Sequence, residues 1–150
     1  NRLTKLLMYL SENDKQGNWS RFLENGSPKW SEIALAGQSQ GGGMSAFIAK
    51  IHLVARVIDF SGGWDYSAKN EIANWYSTAS VTPVDRYYGT FHKKEPMAET
   101  IEKTYKAMNI PEDHIYGFDL DVPKGKRAHS NGVRNLDYKD QWIALLGKGN

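Results

Sequence analysis

Ser39, Glu95 and His129 are the residues whose types and order could do chemistry together. Ser39 sits in Gly37-x-Ser39-x-Gly41, with Gly42 and Gly43 directly after. A serine hydroxyl is a poor nucleophile until a base takes its proton. That base is usually a histidine, held and charge-compensated by a carboxylate. The glycine spacing is that of a nucleophile elbow, a strained strand-to-helix turn that lifts the serine clear of its neighbours. Side chains two residues away on either side would crowd such a turn, and glycine at 37 and 41 removes them. The motif is short and weak in isolation. Its weight depends on a strand before it, a helix after it, and an acid and a base downstream.

Four histidines compete for the role of base. His52 falls between the elbow helix and the next strand, at the far end of the sheet, and His114 precedes the fourth strand at that same end. His92 ends the third strand on the correct side. His129 lies in a polar loop after the fourth strand, among the small residues Ala128, Ser130, Asn131 and Gly132, and such a loop can fold back over the serine. His129 is therefore the expected base. For the acid, Glu95 in the turn after the third strand gives the order Ser, Glu, His, one of the known serine-triad orders. Asp65 is the reserve, and Asp59, Asp119 and Asp121 also lie near strand ends. Glu95 has a competing structural role, capping the helix that follows. The Gln40 amide, directly after the serine, is the expected oxyanion donor. A second donor normally comes from an earlier loop, and the chain shows no candidate ahead of the elbow.

The elements that must position these residues follow from apolar periodicity. Leu3, Leu6, Leu7 and Leu10 mark an opening helix. Trp19 to Leu23 reads as a helical turn, ended by Asn25, Gly26, Ser27 and Pro28. Residues 33–36 form a short, uniformly apolar strand suited to a sheet buried on both faces. A helix over 43–51, a strand over 54–61 and a short helix over 71–76 follow. Next come a strand over 87–92, a helix over 97–108, a strand over 115–122 and a closing helix over 138–146, with a loop over 123–135. Alternating strands and helices imply an α/β fold, a parallel sheet with helices on both faces and right-handed crossovers. In such sheets ligands bind beyond the C-terminal strand ends, where Ser39, Ser61, Glu95 and the His129 loop all fall. Trp64, Tyr66, Trp75 and Tyr76 follow the second of these strands and either line a substrate pocket or fill the core.

Bulk properties narrow the classes. With 150 residues, 40% of them hydrophobic, the chain can build one compact core. A net charge of +2 with mixed signs gives neither a basic stripe for nucleic acid nor a polybasic anchor for a membrane surface. No apolar run is long enough to span a bilayer. Without cysteine there is no thiolate nucleophile, disulfide or cysteine metal site. The compartment is not legible. A phosphate-cradling loop at 37–43 is an alternative, disfavoured because Gly-Lys-Ser/Thr and G-x-G-x-x-G are both absent.

Residues 6–10, then Trp30 through Gly43, resemble bacterial α/β-hydrolases of the esterase type, whose elbow commonly reads Gly-His-Ser-Gln-Gly-Gly. The resemblance continues through Val57 to Gly63, through Tyr87 to Pro96 as the acid-bearing strand and turn, and through Ala128 to Ser130 as the histidine loop. It covers nearly the whole chain. Gln38 stands where histidine is usual, and Glu95 where aspartate is more common. The family sheet has eight strands, so the resemblance implies that residues 1–150 hold its C-terminal half, about four strands, in a domain incomplete at its N-terminus. It implies a serine hydrolase of esterase type acting on a small-molecule ester or related acyl compound with no cofactor or metal. The alternative is an inactive fragment or half-fold that needs an N-terminal segment or a partner chain.

Overall fold

The computed structural model describes residues 2–65, 71–123 and 126–147. Four strands, β3 (Ala34–Gln38), β4 (Arg56–Phe60), β5 (Tyr87–His92) and β6 (Ile115–Phe118), form one sheet in that order, every pair parallel. Ahead of them, α1 (Arg2–Asn13) packs on a small antiparallel hairpin, β1 (Leu23–Glu24) and β2 (Ser27–Pro28). The hairpin was readable in Asn25-Gly26. Both residues take positive φ (50° and 73°), the conformation a two-residue hairpin turn demands. Apolar periodicity alone predicts only a turn there.

Helices α2 (Gln40–Ile51) and α3 (Ala98–Ala107) cover one face of the sheet, and α5 (Lys139–Leu146) covers the other. The alternation of β4 shows the two faces directly. Val57 packs with Ala46, Ala49, Ile101 and Tyr105, while Ile58 packs with Phe118, Tyr138 and Leu145. This is the expected α/β architecture of a parallel sheet with helices on both faces. Among the described residues no helix is long and apolar enough to cross a membrane.

Three of the differences from the expected elements concern segments near the site. The elbow helix starts at Gln40 rather than 43, so the glycines lie inside its first turn. The fourth strand stops at Phe118 rather than 122 because side chains claim the next backbone groups. The Tyr138 hydroxyl accepts from the Leu120 amide at 2.9 Å, and His92 Nε2 meets the Leu120 carbonyl at 2.9 Å. Residues 71–76 form no α-helix, and a 3-10 turn covers Asn74–Ser77 instead.

Successive strand ends are stitched together at the C-terminal edge. Ser39 N–H donates to the Phe60 carbonyl (2.9 Å), Ser61 N–H to Thr90 (2.7 Å) and Lys93 N–H to Phe118 (2.8 Å). Tyr105, fully buried on α3, donates its hydroxyl between the carbonyls of Asp59 (3.0 Å) and Thr90 (2.9 Å). It thereby ties the helix layer to the ends of β4 and β5. Tyr105→Phe keeps the ring but leaves that contact unmade, so urea denaturation should show a loss of about 1–2 kcal/mol with the slope unchanged.

Candidate active site

Ser39 occupies the single residue between β3 and α2, at φ 58° and ψ −126°. A non-glycine residue at such angles stores on the order of 1–3 kcal/mol of strain, and it persists only where the surroundings enforce it. The enforcement is visible. A side chain at Gly37 would strike the Gly41 carbonyl at 2.2 Å. One at Gly62 would lie 2.6 Å from the Ser39 carbonyl. At Gly42 or Gly62 it would also fall on Asp59 Oδ1, at 2.0 and 2.2 Å. The expectation that Gly41 relieves crowding is corrected, because a Cβ there meets nothing within 4 Å outside its own helix. The close approaches belong to 37, 42 and 62.

Glu95 is the acid that reaches a histidine. It is buried, and each carboxylate oxygen is engaged. Oε1 accepts from the Ser61 hydroxyl (2.9 Å) and the His92 amide (2.7 Å), and Oε2 lies 2.6 Å from His129 Nδ1. Against an ionised carboxylate, Nδ1 carries the proton, which leaves Nε2 as the free basic nitrogen. Helix capping is thus not the main task of Glu95.

His129 lies on a four-residue helix, α4 (Ala128–Asn131), inside the stretch expected to be loop. Three contacts hold the region. Gln38 Nε2 donates to the His129 carbonyl at 3.0 Å. The Trp64 ring meets the imidazole at 5.1 Å between centroids and 61° between planes. Trp142 Nε1 donates to the Gly132 carbonyl at 2.7 Å. Gln38 therefore ties the residue before Ser39 to the backbone of His129. The Ser39 hydroxyl has no hydrogen-bond partner among the described residues. Gln40 opens α2, where the first amides of a helix lack intrahelical acceptors. The Gly42 and Gly43 amides turn back to the Ser39 carbonyl at 3.0 and 3.3 Å.

The other candidates have structural partners. His92 is fully buried, with Nδ1 accepting from the Lys94 amide at 3.1 Å and Nε2 at the Leu120 carbonyl, so neither nitrogen is free. His114 stacks on Tyr88 and His52 on Trp30. Asp119 and Asp121 form exposed pairs with Lys93 and Lys94. Asp65 accepts from Trp75 Nε1 at 3.1 Å and does not reach His129. It lines a cavity of about 540 Å³ that opens beside Ser39 and Gln40, as do Trp64 and Trp75. Tyr76 is core, and Tyr66 lies outside the described residues. No family model, curated protein or solved structure matches this chain.

Ser61 and Asp59, placed near strand ends by the sequence, come to lie against Glu95 and beneath the elbow, positions the sequence did not indicate. Ser61, at φ 50°, reaches Glu95 only because β4 and β5 lie side by side, which no local signal specifies. Asp59 is a carboxyl buried beneath the elbow, and neither of its oxygens completes a hydrogen bond. Burial raises its pKa to about 7, opposed in part by the neighbouring Tyr105 hydroxyl and Gly62 amide. Because the native state holds this proton more tightly than the unfolded chain does, stability associated with Asp59 is complete below pH ~4 and declines as pH rises towards 7. Asp59→Asn removes the penalty. Relative to the native protein, the variant should gain stability from pH 4 upward and level off above 7, on the order of 4 kcal/mol at most. Thermal or urea melts across that range measure it, and a gain confined to acid pH would contradict the assignment.

Proposed function

We propose that this chain is a serine hydrolase of the esterase type, with an α/β-hydrolase-like fold of which these strands form the C-terminal half. The supporting observation is the buried Glu95 carboxylate 2.6 Å from His129 Nδ1, joined through Gln38 to a serine held in a strained elbow. In this reading Nε2 of His129 takes the Ser39 proton as Oγ bonds to the ester carbonyl carbon. The Gln40 amide stabilises the developing oxyanion. His129 then delivers the proton to the departing alcohol as the carbon–oxygen bond breaks. Water attacks the acyl-serine by the same route in reverse and releases the acid. The substrate is a small ester or related acyl compound, and the residues named require no metal or organic cofactor for these steps.

A second reading has a specific observation behind it. Strand β3 pairs only with β4 among the described residues, with Ala34 and Ala36 exposed along it, and Leu6, Met8 and Tyr9 are exposed on α1. An uncovered edge and apolar surface suit a further segment or a partner chain, which would also bring the second oxyanion donor. On this reading the chain by itself is inactive.

A fluorophosphonate probe separates the two. Covalent labelling at Ser39, abolished in Ser39→Ala, is expected of the hydrolase; an unlabelled Ser39 in the folded chain favours the incomplete one. Gln38→Leu should lower kcat about 5- to 10-fold through lost positioning of His129, with KM little changed. Gln38→His, which keeps a donor, should recover part of the loss.

A further inference from the structure

Resting on the hydrolase reading, we propose that the acyl group of the substrate is a neutral aliphatic chain of several methylenes, seated along one face of α2. The cavity beside Ser39 runs past Gln40, Gly43, Met44, Phe47 and Ile48. These recur at helical spacing on a single face, and eight residues of rise give that face a length of roughly 12 Å. Gly43 contributes no side chain, so the groove stays open next to the nucleophile. Its opposite wall is formed by Trp64 and Trp75.

That wall is held in place before any ligand arrives. Phe47 meets Trp75 edge to face at 5.4 Å. The Trp75 indole is tied to Asp65, and Lys50 reaches from α2 to donate to the carbonyls of Tyr76 (2.9 Å) and Thr78 (2.6 Å). The turn bearing Trp75 is therefore fixed to the helix that forms the groove floor. Met44 and Phe47 remain 59% and 47% exposed, apolar surface that a bound chain would cover.

Position assigns the groove to the acyl side. It begins at Ser39 and at Gln40, whose amide faces the carbonyl oxygen in the proposed mechanism. His129, which must lie next to the departing alcohol, does not line it. Charge narrows the class further. Among the described residues Asp65 is the only charged one in the lining, so a chain ending in a carboxylate meets repulsion there and a neutral chain does not.

The test is a series of p-nitrophenyl esters from acetate to hexanoate, with an adipate half-ester as the anionic counterpart, hydrolysed by the full chain and by Ser39→Ala as the blank. Ser39-dependent kcat/KM should rise roughly threefold per methylene, on the order of 50- to 100-fold from acetate to hexanoate. The half-ester should fall well below hexanoate. Phe47→Ala should cut the hexanoate-to-acetate ratio about tenfold, and the side chain is exposed enough for that variant to fold. Ser39-dependent hydrolysis with a flat or falling length profile, or with the half-ester preferred, overturns this inference and leaves the hydrolase reading standing. Hydrolysis of none of the esters by Ser39 overturns both.

Discussion

The buried carboxylate of Glu95 is the constraint on which the site depends. A carboxylate removed from water is costly unless its oxygens are satisfied. Here three donors from three segments converge on it: the His92 amide from its own turn, the Ser61 hydroxyl from the end of β4, and His129 from α4. Each must be where it is for the charge to be tolerated. The requirement that stabilises Glu95 therefore also fixes the tautomer of the histidine and the separation of the strand ends.

Around that centre the glycines have a division of labour that the elbow pattern alone hides. Gly37 clears the Gly41 backbone, while Gly42 and Gly62 make room for Asp59. Asp59 is a buried carboxyl without hydrogen bonds, and burial holds its pKa near 7. This costs stability beneath Ser39, and the strained Ser39 and Ser61 backbones add to the cost. The fold offsets these terms elsewhere, in the two apolar layers and in the Tyr105 hydroxyl that joins one of them to the strand ends.

Legibility varied with the range of the interaction. The four parallel strands and their helices were readable because apolar periodicity is local. So was the placement of Ser39, since the elbow lies within a few residues of chain. The Asn25-Gly26 hairpin carries an equally local signal. The truncation of β6 was not readable, because it depends on Tyr138 and His92 competing for Leu120 backbone groups from distant positions. Likewise α4 is one turn in a glycine- and lysine-rich stretch, with no periodicity long enough to announce it.

By itself the sequence determined the order of elements, the end of the sheet at which polar residues gather, and the set of residues able to act as nucleophile, acid and base. Among the acids it favoured Glu95 and held Asp65 in reserve. Glu95, Asp65, Asp59, Asp119 and Asp121 all lie near strand ends, and only the parallel register brings Ser61 and Glu95 together and leaves Asp65 to the Trp75 indole. Among the histidines it favoured His129 for its polar loop of small residues, and packing then closed both nitrogens of His92. Ionisable groups acquire roles from partners tens of residues away, and the distances that select those partners exist only once the sheet has formed.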